Sequence, residues 1–167
     1  KVLMDYKIEA FDQIKNSTIT FSFPMARKGS CAAISYKGKS QIITAAHLTV
    51  LSREKIFNLI VRSRLEEKSD TPAILRMKKI FVSGKVYFKN NPEKAIEVAP
   101  EYIDTDLDLA ILTPKNPEIL GKIKGVPLSK EKIKVADTVF SIGNPRELDF
   151  IFMSGKISAI FDGKKYK

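Results

Sequence analysis

Residues 31–47 of this 167-residue chain, CAAISYKGKSQIITAAH, are the stretch that decides the expected fold. Two runs rich in apolar and β-branched residues flank Lys37-Gly38-Lys39, a tight-turn signal typical of a β-hairpin. The second run leads directly into Ala45, Ala46 and His47. We therefore predict a hairpin whose returning strand ends in a histidine, where a cleft can expose one ring nitrogen.

The sequence on either side of this hairpin predicts further short strands. Alternation of polar and apolar residues indicates a strand at 18–23 that Pro24 stops, while Ile8, Phe11 and Ile14 recur at helical spacing and predict a short helix over 5–15. Further strands are expected at 57–63, 73–82, near 94–103, 108–112 (ended by Pro114), 138–142 and 149–161. Many short strands separated by turns predict an all-β barrel or sandwich.

Three regions follow from this pattern. Residues 1–115 carry the N-terminal helix and about six strands, which is enough to close one small barrel. Residues 116–135 are rich in proline, glycine and lysine and are typical of a linker and surface loop. Residues 136–167 hold two or three strands, the start of a second barrel that is incomplete in this chain.

Composition excludes several classes of protein. With one cysteine, Cys31, and one histidine, His47, the chain can form neither an internal disulfide nor a zinc site built on several cysteines or histidines. We expect no metal and no cofactor. No run of apolar residues approaches the roughly 18 that a membrane span needs.

The net charge of +10 raises the question of nucleic acid. Lysine far outnumbers arginine, although base-reading and phosphate-binding sites favour arginine. The lysines are scattered and several alternate with apolar residues, as on the solvated face of a strand. This pattern disfavours a nucleic-acid partner and leaves a protein or peptide as the expected one.

A second candidate for chemistry is Asp108, which directly precedes an apolar strand. We expect its carboxylate to be partly buried and therefore to need a partner. A histidine Nδ1–H is one candidate, since that bond fixes the tautomer and leaves Nε2 free as a general base. The alternative is that Asp104 and Asp106 are ordinary loop carboxylates and that Asp108 merely begins a strand. The spacing of this run lacks the glycine and glutamate of a calcium loop.

Three segments taken in order resemble a known family: Thr44-Ala45-Ala46-His47, Asp108-Leu109-Ala110-Ile111-Leu112, and Ile142-Gly143-Asn144-Pro145 followed by Ser154-Gly155-Lys156-Ile157-Ser158-Ala159. This set resembles the trypsin-like serine peptidases, most closely their bacterial HtrA-like branch. The resemblance spans roughly residues 17–161 and implies a double β-barrel. It implies that His47 is the general base and Asp108 the carboxylate that orients it. Their separation of 61 residues is long for the family and implies enlarged loops near 50–57, 64–72 and 88–104.

The nucleophile is where the sequence departs from the family. No Gly-x-Ser-Gly-Gly motif occurs, and the serines after Asp108 (Ser129, Ser141, Ser154 and Ser158) lie in a lysine-rich loop or in strand-like patterns. Cys31 lies on the strand that comes before the one leading to His47, and it is expected to be a small buried hydrophobic residue. We interpret the chain as ending before the serine of an endopeptidase. The alternative is an inactive barrel that binds a protein or peptide, with a basic nucleic-acid-binding barrel as a third hypothesis.

Overall fold

The computed structural model describes residues 1–67, 74–88, 91–143 and 151–160, and the side chains of 91–93 are not described. The strands are β1 (Val2–Asp12), β2 (Ser17–Gly29), β3 (Cys31–Tyr36), β4 (Lys39–Thr44), β5 (Leu75–Phe88), β6 (Asn91–Asp104), β7 (Leu109–Pro114), β8 (Val126–Pro127), β9 (Thr138–Gly143) and β10 (Ile151–Lys156). The helices are a 3₁₀ turn (Ala46–Leu48), α1 (Arg53–Glu66) and α2 (Glu118–Lys122).

The all-β class is confirmed, and most of the strands form one sheet. Eight strands pair in the order β2-β1-β5-β6-β7-β4-β3-β8, while β9 and β10 form a separate antiparallel pair. The expected closure of a first barrel is not observed, since β2 and β8 are the two ends of an open sheet within the described residues. Among those residues, no helix is long and apolar enough to cross a bilayer.

The prediction of a helix over 5–15 is wrong, because residues 5–12 belong to β1 and 13–15 lie in the turn that follows it. The even-numbered residues Val2, Met4, Tyr6, Ile8 and Ala10 are all buried, whereas the odd-numbered ones are half-buried or exposed. This alternation is the period of a strand. Three apolar residues at helical spacing are a weaker signal than alternation over the whole of 2–12. The strand is further stabilised by pairing with β2 on one side and β5 on the other.

The hairpin of residues 31–44 forms as predicted. β3 and β4 pair antiparallel from Cys31–Thr44 to Tyr36–Lys39. Lys37 and Gly38 form the two-residue turn with φ of 48° and 76°. Two successive positive φ values are typical of the turn that matches the twist of paired strands, and glycine adopts the second without steric cost.

Pro24 does not stop its strand, contrary to expectation. The pairing of β2 with β1 is interrupted between Tyr6–Phe23 and Met4–Arg27, so that Pro24 lies in a β-bulge. Met25 has a φ of 49°, and its N–H donates to the Asp5 carboxylate at 2.6 Å. Because β2 is an edge strand and the bulge leaves residues unpaired, a proline without an N–H is tolerated there.

The predicted strand at 57–63 is also wrong, because these residues lie in α1. Ile56, Leu59, Ile60 and Ser63 are buried or half-buried at the spacing of one helix face. Ser52 caps the helix, its hydroxyl accepting from the Lys55 N–H at 3.3 Å. The apolar run was too short for its period to be distinguished from that of a strand.

The enlarged loops expected near 50–57, 64–72 and 88–104 are largely regular structure instead. Most of the first and part of the second belong to α1, and the third is mainly β6, which is longer than the strand predicted near 94–103. The strand predicted at 73–82 is the first part of β5. Residues 68–73 and 89–90 lie outside the described residues.

The region 116–135 is mostly exposed, as expected of a surface loop, but it contains two regular elements. Its α2 is a single short turn, and β8 pairs in parallel with β3 through Ile34–Val126. A Cβ on Gly125 would lie 2.3 Å from the Ile34 carbonyl carbon, so this approach needs a glycine. After it, β9 confirms the strand at 138–142, and β10 confirms the strand at 149–161 over Ile151–Lys156.

The main core lies where one face of the large sheet meets the turn that follows β4. Its buried residues come from β1, β4, β5, β6, β7 and the 3₁₀ turn: Val2, Met4, Tyr6, Ile42, Leu48, Val86, Ile96, Val98 and Leu112. The Tyr6 hydroxyl crosses this core and donates a hydrogen bond to the Leu48 carbonyl. A core tyrosine therefore holds the turn that carries His47.

Replacing that tyrosine tests this anchor. Tyr6→Phe leaves the buried Leu48 carbonyl without its donor, and an unsatisfied buried group costs about 1–3 kcal/mol. We expect urea denaturation to give a free energy of unfolding lower by about that amount. Tyr36→Phe, at an exposed tyrosine, is the matched control and should change stability by less than about 0.5 kcal/mol. Equal effects would show that the hydrogen bond is not what stabilises the turn.

Candidate functional site

His47 is held at the surface by the buried residues on either side of it. Ala46 and Leu48 are buried, while His47 between them is exposed on the 3₁₀ turn. The buried Thr49 hydroxyl donates to the Ala46 carbonyl at 2.9 Å and closes the turn. The small Ala46 lets the chain pass close to the loop that carries Asp108, so the backbone that bears the imidazole is held in one position.

Asp108 is placed by the loop between β6 and β7. The Asp104 carboxylate accepts from the N–H groups of Asp106 and Leu107, both at 2.9 Å, which is an Asx-type turn. Asp108 then adopts a φ of 51°, a conformation in which Asp and Asn are enriched among non-glycine residues. Its carbonyl accepts from the Ala46 N–H at 3.0 Å, which ties this loop to the 3₁₀ turn.

The two predicted site residues meet. His47 Nδ1 lies 2.8 Å from Asp108 Oδ2, and the His47 backbone N–H donates to Asp108 Oδ1 at 2.8 Å. Both carboxylate oxygens are therefore used by one residue. This arrangement orients the ring so that Nδ1 faces the carboxylate and Nε2 faces away from it, and a neutral imidazole with its proton on Nδ1 keeps Nε2 as an acceptor.

The expectation that Asp108 is partly buried is wrong. The side chains of His47 and Asp108 are 65% and 52% exposed. Asp108 is the last residue of a turn, and burial begins only at Leu109 and Ala110 in β7. Solvent screens an ion pair at this exposure, so hydrogen-bond geometry, more than Coulombic attraction, defines the contact.

The protonation of Asp108 responds to this geometry. The hydrogen bond from the His47 backbone N–H lowers the pKa of the Asp108 carboxyl, and the bond to the His47 ring lowers this pKa further. A lowered folded-state pKa stabilises the fold at pH values above the ordinary carboxyl pKa of about 4. That contribution disappears as the pH falls through the lowered value.

A cavity of about 300 Å³ opens beside the pair. It is lined by Arg27, Ala46, His47, Val50, Ser52, Lys55, Thr105 and Asp108. The sequence did not point to Arg27, Ser52, Lys55 or Thr105, because they lie on β2, α1 and a loop that only the fold brings together. The sequence indicates Asp104 only as a loop carboxylate, although an aspartate before a turn is a known signal for the Asx geometry that it forms.

The third segment of the predicted set lies elsewhere. Ser154 and Gly155 are in β10, opposite Phe140 and Val139 of β9, whereas Asn144 and Pro145 lie outside the described residues. Ser129, Ser141, Ser154 and Ser158 are not among the residues that line the His47 cavity. Cys31 is half-buried in β3, and burial raises the pKa of its thiol.

Comparison with known proteins adds no relative. The sequence matches no protein-family model and no curated protein at a significant level. Within the described ranges, no three His, Cys, Asp or Glu side chains converge as a metal site requires.

Titration of the Asp108 carboxyl tests the contact with His47. We expect carbon-detected NMR to give Asp108 a pKa below that of an aspartate in an unfolded peptide. His47→Ala removes the ring but keeps the backbone N–H, which is the larger cause, so the pKa should rise only part of the way. A full return to the ordinary value would show that the ring, and not the backbone, controls the carboxylate.

Replacement of Asp104 tests how the Asp108 turn is held. Asp104→Ala removes the acceptor of two backbone N–H groups and should cost about 1 kcal/mol of folding stability while moving the Asp108 pKa upward. Asp104→Asn retains a side-chain oxygen acceptor and should largely preserve both. Chemical denaturation and the same NMR titration measure the two effects. If Asp104→Asn behaves like Asp104→Ala, then the charge of Asp104, and not its hydrogen bonds to the two N–H groups, controls the stability and the Asp108 pKa.

Proposed function

We propose that this protein is a serine endopeptidase of the trypsin-like, HtrA-like type. The observation that carries the proposal is the 2.8 Å contact between His47 Nδ1 and Asp108 Oδ2, made across 61 residues of sequence. This is the contact that a Ser-His-Asp triad requires between its base and the residue that orients it. The order of the sequence motifs supports the same assignment.

The geometry supports specific roles for the two residues. The Asp108 carboxylate accepts a hydrogen bond from Nδ1–H, which leaves Nε2 of His47 free to take the proton from a serine hydroxyl as that oxygen attacks the peptide carbonyl. The imidazolium that forms lies against the carboxylate and then gives its proton to the leaving amine. Water repeats the sequence in the second half of the reaction and releases the acyl group.

The double-barrel arrangement is part of the proposal. In a trypsin-like peptidase the second barrel packs against the first and the two enclose the triad, which excludes water and strengthens the histidine–aspartate bond. A second barrel packed over His47 and Asp108 would account for the exposure of these two side chains in the described structure. The antiparallel β9 and β10, which carry the Ser154-Gly155 segment, would belong to that barrel.

The proposed reaction requires a nucleophilic serine, and no motif in these 167 residues identifies it. Two hydroxyl residues, Ser52 and Thr105, line the cavity beside His47. The Ser52 hydroxyl serves as the cap of α1 and accepts from the Lys55 N–H. The mechanism therefore requires a different serine, one whose neighbouring backbone N–H groups form an oxyanion hole, as the Gly-x-Ser-Gly-Gly loop does in the family that the sequence resembles.

A fluorophosphonate probe tests the proposal in the intact natural protein. We expect covalent labelling of one serine, identified by mass spectrometry, together with hydrolysis of an unstructured protein substrate. His47→Ala should abolish labelling, and Asp108→Asn should lower kcat by about 10³–10⁴-fold, as expected when the histidine loses the partner that sets its tautomer.

Lys132→Gln, at an exposed lysine of the 116–135 loop, is the control and should retain full activity. Labelling that persists in His47→Ala would remove His47 from the role of base. Absence of both labelling and hydrolysis in the wild-type protein, with peptide binding retained, would replace the proposal with an inactive peptide-binding barrel.

A further inference from the structure

A cleft of about 520 Å³ lies between the end of β2 and one face of α1. Arg27 reaches it from β2, and Lys55 and Arg62 reach it from positions two turns apart on α1. Asn58 adds an amide, and the remaining lining is aliphatic: Ala26, Leu51 and Leu59. Three cationic groups therefore face one concave site of the size that an amino-acid side chain and its neighbours occupy.

These cations have no counter-charge in the cleft. None of the residues that line it is acidic. Within the part of the chain that the structure describes, Arg27, Lys55 and Arg62 form no ion pair. Like charges that share a cleft repel one another, and a bound anion relieves that repulsion.

The cleft adjoins the site of His47 through two shared lining residues. Arg27 and Lys55 line both the cleft and the 300 Å³ cavity that contains His47 and Asp108. The only carboxylate in the lining of either cavity is Asp108, and both of its oxygens are already bonded to His47. An anion that approaches His47 along this cleft therefore meets three cationic side chains, and no free carboxylate of the lining competes with it for them.

The form of the cleft favours a peptide over a nucleic acid. Sites for single-stranded nucleic acid combine positive charge with aromatic side chains on which bases stack. Here the non-polar lining is aliphatic, and it suits the stem of a glutamate side chain beside a charged head. Arginine forms paired hydrogen bonds with a carboxylate, and two arginines are present.

We propose that the cleft lined by Arg27, Lys55 and Arg62 binds acidic side chains of a peptide whose neighbouring residues lie at His47. This inference rests on the proposed function for its substrate: it assigns the endopeptidase a preference for segments with Glu or Asp a short distance from the bond that is cleaved. Binding itself requires no catalysis and can be measured separately.

The test measures the binding of two labelled peptides to the full chain by fluorescence anisotropy at about 50 mM salt. The peptides are identical except that one carries Glu-Glu where the other carries Gln-Gln. We expect the Glu peptide to bind at least about fivefold more tightly, and added salt should reduce this preference, since the Debye length falls from about 10 Å at 0.1 M to about 3 Å at 1 M. Equal binding of the two peptides would overturn the proposal.

Two double variants with the same change in net charge localise the effect. Arg27→Gln with Arg62→Gln should remove most of the preference, about two- to fivefold for each cation. Lys130→Gln with Lys132→Gln, in the exposed 116–135 loop, should preserve it. Lys55→Gln, at an exposed position of α1, is a further variant that leaves the core untouched and should lower the preference about two- to fivefold. Equal losses in the two doubles would assign the preference to the general basic charge and overturn the site.

The outcome is separable from that of the proposed function. Mass spectrometry of the peptides after binding shows whether either one is cleaved. A wild-type protein that binds the Glu peptide through Arg27 and Arg62 but cleaves nothing would refute the endopeptidase and retain the cleft. Cleavage of both peptides with equal kcat/KM would retain the endopeptidase and refute the cleft. Tighter binding of an oligothymidine of similar length, lost in the same double variant, would assign the cleft to nucleic acid.

Discussion

The antiparallel pairing of β4 with β7 is the constraint on which the candidate site depends. Only three residue pairs make it: Ile42–Leu112, Ile43–Ile111 and Thr44–Ala110. They place the residues that follow Thr44 beside those that precede Ala110, and the Ala46 N–H continues the contact by donating to the Asp108 carbonyl. Two side chains 61 residues apart thus approach to 2.8 Å because the strands that carry them are neighbours.

Because His47 and Asp108 are exposed, their contact has a well-defined geometry but only a weak electrostatic attraction. Backbone hydrogen bonds and the buried Ala46 and Leu48 hold His47 in position, so the contact needs no favourable ion-pair energy in order to form. Chemistry at His47 needs more, because a carboxylate stabilises an imidazolium strongly only where water is excluded. The proposed second barrel and the bound substrate would supply that exclusion, and the basic cleft would align the substrate beside the histidine.

Sequence patterns succeeded where local chemistry and tertiary packing agree. The turn at Lys37-Gly38 was predictable because two-residue turns with positive φ have a strong residue signature. β1 and α1 were predicted wrongly, since three or four apolar residues fit either period until a longer window or a sheet edge decides between them. The prediction that Pro24 ends its strand fails because a proline is tolerated in the bulge opposite Asp5. That bulge depends on a partner strand about twenty residues away, which no local pattern shows.

The sequence alone indicated the all-β class and the hairpin that leads to His47, and its resemblance to the trypsin-like peptidases suggested His47 and Asp108 as partners. The class and the hairpin follow from local periodicity and turn chemistry, and the single histidine left His47 as the sole histidine that the resemblance could assign. The tertiary structure decided that the pair is exposed, that the Asp104 turn and the Tyr6 hydroxyl position it, and that Arg27 meets Lys55 and Arg62 in one cleft. No local pattern encodes these features, because each depends on strand register and on which residues of distant segments the fold places together.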